Sequence, residues 1–206
     1  MTHRPPSLLV IGILGGIASG KSLVSRQLEK LGAHIIDVDR LGHQALGDDG
    51  VQQTLLHRWG DSIFSAEGIV DRQQLGQIVF SESPDRSESL QFLESLTFPI
   101  IETLISDEIA QTSRIGTPRV IVLDAAVMIK AGWDKKCDQL MFVDAPRQIR
   151  LERALERGWT QQEFEVRERS QIPLEQKRQR ADIIIDNSGS EEDTGKQVEH
   201  FWHCLP

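Results

Sequence analysis

Five short runs dense in aliphatic and β-branched residues punctuate this 206-residue chain: Leu8 to Leu14, Ala33 to Asp37, Arg119 to Asp124, Gln139 to Asp144 and Ala181 to Asp186. Longer helical patterns separate them. Their apolar character is continuous rather than alternating, so each strand is expected to be buried on both faces. Helices wrapped over a parallel sheet bury strands in that way. The expected fold class is therefore α/β, a five-stranded parallel sheet flanked by helices, and the length suits a single domain with an inserted region.

The insertion is expected between the second and third runs, where about 80 residues pass without a convincing strand. This places the core at about residues 7–47 and 117–206, with a helical region at about 48–116. The strongest helix there runs from Ser87 to Thr112, and Pro99 is expected to kink or split it. A second helical segment, about 147–180, is rich in arginine and thin in apolar residues. It reads as a solvated, mobile hairpin that closes as a lid. Ser190 is expected to cap a last helix running to Pro206, with Glu191, Glu192 and Asp193 at its positive end.

The first run leads directly into Gly15-Gly16-Ile17-Ala18-Ser19-Gly20-Lys21-Ser22. Glycines let the backbone form a concavity of inward-pointing N–H groups, and a helix starting near Lys21 adds its positive end. Residues Gly16 to Leu23 thus form a candidate cradle for the phosphates of ATP. Lys21 would reach the β and γ phosphates, and the Ser22 hydroxyl would ligate Mg²⁺. A cradle of this kind binds an anion locally. That matters because the net charge is −8, which argues against a broad nucleic-acid or anionic-membrane surface. The chain lacks the Asn-Lys-x-Asp motif of GTPases and the Ser-Gly-Gly-Gln signature of transport ATPases. Its small size, helical insertion and arginine-rich segment point to a kinase of small molecules, of P-loop type.

Acids close the last four of the five runs, at Asp37 with Asp39, and at Asp124, Asp144 and Asp186. Ligands of open α/β sheets bind at that edge. A carboxylate there can take the proton of an attacking hydroxyl. One of Asp37 and Asp39 is expected to cap a helix starting at Arg40. Asp124 suits the acceptor or the metal, while Asp144 and Asp186 suit loop and cap duties. One or two of Arg150, Arg153, Arg157, Arg167, Arg169, Arg178 and Arg180 are expected to stabilise the transferring phosphoryl group. The others should pair at helical spacing with neighbouring glutamates. Of the tryptophans, Trp59 and Trp133 are the candidates for stacking on a ligand. Cys137 and Cys204 match no metal or redox spacing, which suggests a reducing, cytoplasmic setting. The apolar run Leu8 to Leu14 is too short to span a membrane.

Taken together these residues resemble the dephospho-CoA kinase family. The resemblance rests on the phosphate loop, Ile36-Asp37-Val38-Asp39 with His43, Trp59-Gly60, Gly68-Ile69-Val70-Asp71-Arg72 with Leu75 and Val79-Phe80, Pro99-Ile100-Ile101, Gln171 with Lys177, Ala181-Asp182 and Asp186-Asn187. It implies transfer of the ATP γ-phosphate to the ribose 3′-hydroxyl of dephospho-CoA, with Mg²⁺ as cofactor and no obligate protein partner. It also implies Asp39 as the base, Arg72, Asp37, Phe98 and Asp124 on the acceptor side, Arg153 as a catalytic lid arginine, and Arg157 and Asn187 at the nucleotide. The chain departs from the family pattern at Leu14, Ala18 and Leu23 in the loop, and at Phe98, where a histidine is usual. Asp124-Ala125-Ala126, followed by Ala131-Gly132-Trp133, is similar instead to the kinase half of the animal bifunctional CoA synthase, although Lys130 stands where an acid is expected. Another small-molecule or nucleotide kinase, and a catalytically weak nucleotide-binding homologue, are the alternatives.

Overall fold

The computed structural model describes residues 8–80 and 85–205. The elements run β1 Leu9–Gly15, α1 Lys21–Lys30, β2 His34–Asp37, α2 Val38–Leu46, α3 Asp49–Trp59, α4 Arg72–Val79, α5 Arg86–Ile115, β3 Val120–Asp124, β4 Gln139–Asp144, α6 Arg147–Glu156, α7 Gln161–Arg169, α8 Leu174–Gln179, β5 Ile183–Asp186 and α9 Glu191–His203. Residue 7, where the core was expected to begin, and Pro206, the expected end of the last helix, lie outside the described residues. The chain divides into two compact units. One comprises the residues up to Asp37 together with those from Glu108 onward; the other is Val38–Asp107.

The first unit holds the sheet, which is parallel throughout in the order β2-β3-β1-β4-β5. Central β1 has Val10, Ile11 and Ile13 fully buried, each contributing about 1.5–3 kcal/mol through burial of its side chain. The α1 residues Val24 and Leu28 and the α9 residue Val198 complete this core. Two aspartates lengthen the strand ladder with their side chains. Asp138 donates its N–H to the Val10 carbonyl at 2.8 Å and accepts the Val10 N–H on Oδ2 at 2.7 Å. Asp182 does the same to Leu140, both bonds at 2.8 Å. Ser190 caps α9 as expected, accepting from the Asp193 N–H at 3.1 Å.

The second unit packs Val51, Leu55, Ile63, Val70, Leu75 and Val79 into a core of its own. Asp48 and Asp71 cap α3 and α4 by accepting their first-turn N–H groups. Pro99 does not split the long helix, for α5 is one helix through it. The Pro99 ring is exposed, while Leu96 and Ile100 pack on the cluster and Ile101 is buried. Burial of these neighbours outweighs a loss of about 3 kcal/mol at an interior proline.

The arginine-rich segment is three helices, α6, α7 and α8, rather than a two-helix hairpin, and Phe164 of α7 is fully buried against α6. The Arg147 and Arg150 guanidiniums lie 5.4 and 5.6 Å from that ring's centre. Thr160 opens α7 with a reciprocal cap, its hydroxyl receiving the Glu163 N–H while the Glu163 carboxylate accepts from the Thr160 N–H. The Thr160 N–H, and then its hydroxyl, donate to the Glu163 carboxylate and hold it below its ordinary pKa. Of the expected helical pairs, Arg169 with Glu165 forms, at 3.2 Å. Glu168 instead reaches across helices to Arg150 at 2.7 Å and Arg147 at 3.1 Å. Trp133 is 1% exposed, a core residue unavailable for stacking on a ligand. Trp59 packs edge-on against Phe92 at 5.5 Å. Among the described residues no helix is long and apolar enough to cross a membrane.

Candidate active site

In a sheet of order 2-3-1-4-5, the chain leaves β1 toward one side for β2 and returns on the other for β4 and β5, so the loop after β1 opens at the switch point where ligands of such sheets bind. That loop is Gly16 to Gly20, and α1 starts at Lys21 with Gly20 as its N-cap. Gly20 has φ +99°, and a side chain there would run into the Asn187 amide. At Gly15 a Cβ would stand 2.5 Å from Ser19 Oγ and 2.9 Å from the Val143 carbonyl. The turn therefore exists only with glycine at these two positions.

Ala18 has φ +56°, the single non-glycine residue with positive φ among the described residues. The resemblance drawn from the sequence implies glycine at this position. Left-handed backbone disfavours a Cβ, so Ala18→Gly is expected to raise the unfolding free energy by about 0.5–1 kcal/mol. A urea midpoint that stays put or falls would contradict that reading of the loop.

Four side-chain groups grip the loop from outside through its carbonyls. Lys177 Nζ donates to the Gly15 carbonyl at 3.1 Å, Arg150 to that of Ile17 at 3.4 Å, and Arg153 to that of Ser19 at 3.4 Å. Asn187 Nδ2 also donates to the Ser19 carbonyl, at 2.7 Å, and its Oδ1 accepts from the Thr194 hydroxyl at 2.8 Å. Arg153 spans loop and β5 end, its other nitrogen reaching the Asn187 carbonyl at 2.9 Å. Arg150 and Lys177 are 3% and 5% exposed. Lys177 also donates to Gln171 Oε1 at 2.8 Å. Burial, then the charges of Lys21 and Arg150, push the Lys177 ammonium down to about 8.

Sequence reasoning assigned no role to Arg150 individually or to Lys177. One signal was available for Arg150: Ala154 lies four residues on, which puts both on the buried stripe of α6. For Lys177 the bonding partner is 162 residues away, beyond any local pattern. A cavity of about 210 Å³ opens beside this grip, lined by Gly16, Ile17, Arg150, Glu168, Gln171 and Leu174 among others.

The remaining candidates fall as follows. Lys21 is half-buried and Ser22 exposed in the first turn of α1, with Leu23 half-buried behind them. Arg157 is exposed at the C-cap of α6. Asp37 stands opposite Asp124 across β2 and β3. Asp124 accepts the Ser25 hydroxyl at 2.8 Å, which ties β3 to α1. Asp144 pairs with Arg178, and Asp186 accepts the Ser188 N–H at 2.9 Å; the Ser188 hydroxyl first, and then that N–H, hold the Asp186 carboxyl below its ordinary pKa. In the second unit α2 begins at Val38 rather than Arg40, because the helical turn starts directly at the end of β2. Asp39 is thus an exposed residue of its first turn, one turn before His43 on the same face. His43 Nδ1 lies 3.5 Å from the Arg72 guanidinium. Phe98 is half-buried on α5. Among the described residues no group of three or more His, Cys, Asp or Glu is placed to hold a metal. Magnesium held by one hydroxyl and a strand-end acid, with substrate phosphates and water completing its shell, needs no such group.

The chain matches the family model described as dephospho-CoA kinase over residues 9–193. Among curated relatives, the dephospho-CoA kinase of Geobacter sulfurreducens is 37% identical over 94% of this chain and 96% of its own, and that of Aquifex aeolicus is 35% identical over 95% and 96%. Among solved structures, TT1252 from Thermus thermophilus superposes with a TM-score of 0.80 at 29% identity, covering 97% of this chain and 98% of its own. A shikimate kinase from Acinetobacter baumannii, with a TM-score of 0.53 at 15% identity over 96% and 97%, shares the fold alone. With the family model covering almost the whole chain and full-length relatives above 30% identity, the chain belongs to the dephospho-CoA kinase family, the kinases of the last step of coenzyme A synthesis.

Proposed function

We propose that this chain binds Mg²⁺-ATP at the loop between β1 and α1 and passes the γ-phosphoryl group to the ribose 3′-hydroxyl of dephospho-CoA, giving CoA and ADP. The observation that carries this reading is the loop itself: a left-handed Gly20 capping α1, with Lys21 and Ser22 in the helix's first turn. Backbone N–H groups and the positive helix end suit a triphosphate, and Lys21 adds a cation that follows charge onto the transferring group. Ser22, with Asp124 at the end of β3, supplies the hard oxygen donors that suit Mg²⁺, a cation that draws charge from the phosphate oxygens when bound.

Asp39 accepts the proton of the attacking hydroxyl, and Asp37, Arg72 and Phe98 line the acceptor. Arg157 faces the phosphates as the nucleotide binds, while Arg153 and Asn187 serve the nucleotide through the Ser19 carbonyl they hold. Two free cysteines, Cys137 and Cys204, suit a protein working in the cytoplasm. The test is a coupled assay of ADP release with Mg²⁺-ATP against a panel of dephospho-CoA, adenosine, AMP and shikimate. Turnover of dephospho-CoA alone at micromolar concentration is the expected result. Preference for another acceptor, or ATP binding without turnover on any, would replace this reading by one of the alternatives.

A further inference from the structure

The carbonyls held from outside belong to Gly15, Ile17 and Ser19, every second residue of the loop. In a trans peptide the C=O and the following N–H point in opposite directions. Fixing the carbonyls of residues 15, 17 and 19 outward therefore aims the N–H groups of Gly16, Ala18 and Gly20 the other way, toward the concavity. We infer that Lys177 is a positioning residue for ATP: with Arg150 and Arg153 it holds alternate loop carbonyls outward, so that the loop amides are set for the triphosphate before it arrives. This rests on the reading of the loop as the ATP site. The three grips differ in origin, since Arg150 and Arg153 come from α6 whereas Lys177 is the one supplied by α8. Lys177 thereby ties the last helix of the arginine-rich segment to β1's end.

Burying an ammonium is costly unless it is fully bonded. A methionine of similar length would fill the same space without that cost but would take the donor from the Gly15 carbonyl, so a purely structural lysine would show its removal in stability and not in ATP affinity alone. Preset amides are worth keeping at that cost only if their orientation matters for binding. The charged groups facing Lys177 are Lys21 from α1 and Arg150 from α6, both of which disfavour its protonated form, and Arg150 is itself paired with Glu168 of α7.

The experiment compares Lys177→Met and Lys177→Arg with the wild type in steady-state kinetics for both substrates and in thermal unfolding. For Lys177→Met, KM for ATP should rise about 10- to 100-fold, the scale of one charge-assisted hydrogen bond. KM for dephospho-CoA should stay within about twofold, with any fall in the unfolding temperature reporting the Gly15 carbonyl left without its donor, while Lys177→Arg should recover most of the ATP affinity. An ATP KM within about twofold of wild type, or an equal rise in both KM values, overturns the inference. Should Lys177→Met not fold, the pH dependence decides. In the wild type KM for ATP should climb above about pH 8 as the ammonium is lost, and in Lys177→Arg it should stay flat; parallel profiles overturn the inference. Lys21→Ala serves as control. Weakened ATP binding there beside normal binding in Lys177→Met refutes the positioning role and leaves the loop's function standing, whereas no ATP binding by the wild type refutes that function itself.

Discussion

Lys21→Ala is expected to lower the turnover of dephospho-CoA by about three orders of magnitude or more, a loss of about 4 kcal/mol of transition-state stabilisation. Phosphoryl transfer offers a protein little covalent chemistry to perform, so catalysis consists of positioning and of neutralising charge on the oxygens in flight. Lys21 opens α1 immediately after Gly20, where its ammonium adds to the helix's positive end. That same location makes the substitution tolerable for folding, because a cation at a helix N-terminus opposes the dipole. Thermal unfolding should therefore be unchanged or slightly raised. A linked consequence concerns Lys177, whose pKa is held at about 8 partly by the Lys21 charge. Removal of that charge should let it rise, by the sign of the interaction, since loss of a like charge favours the protonated form. Turnover above about a tenth of wild type in Lys21→Ala would remove the lysine from the chemistry.

Asp39→Asn is expected to slow phosphoryl transfer by about 10² to 10⁴, with ATP affinity within about twofold of wild type. Asparagine keeps the shape and loses the proton acceptor. The substitution also removes an anion from the first turn of α2, which costs about 0.3–1 kcal/mol of helix stabilisation, too little to unfold the chain. Rapid-quench measurement of a single turnover, beside an equilibrium ATP titration, separates the two effects. A transfer rate above about a tenth of wild type would assign the base to another residue, with Asp37 and Asp124, adjacent in register at the ends of β2 and β3, the groups to substitute next.

How far these residues were readable without coordinates depends on how local their determinants are. The inner strands were visible because burial on both faces writes itself as an unbroken apolar run, whereas the edge strands β2 and β5 carry such a run with one face partly open, Ile184 being 45% exposed; the loop was visible because its glycines obey a steric rule that acts within eight residues. Ser190 as an N-cap is local in the same sense. Pro99 shows the limit of a local rule: its penalty is real, yet the packing of Leu96, Ile100 and Ile101 decides in favour of one helix. Trp133 and Phe164 show another, since nothing in their neighbourhoods in sequence distinguishes a ligand platform from a core residue, and both are buried.

The arginine-rich segment separates the two kinds of information most clearly. Its charge was plain in the sequence, and a wet, mobile pair of helices is what charge alone suggests. Tertiary structure instead puts Arg150 against Ile17, Glu168 and the Phe164 ring, Arg153 between Ser19 and Asn187, and Lys177 beneath Gly15. Amino-acid order by itself determined the sheet, the position of the phosphate loop and the residue types able to perform phosphoryl transfer, because apolar periodicity, glycine sterics and side-chain chemistry are carried by neighbours along the chain. Which cations point at the ligand and which hold the loop that meets it was decided only in three dimensions, where partners more than a hundred residues apart come within hydrogen-bonding distance and a buried charge must find every partner it needs.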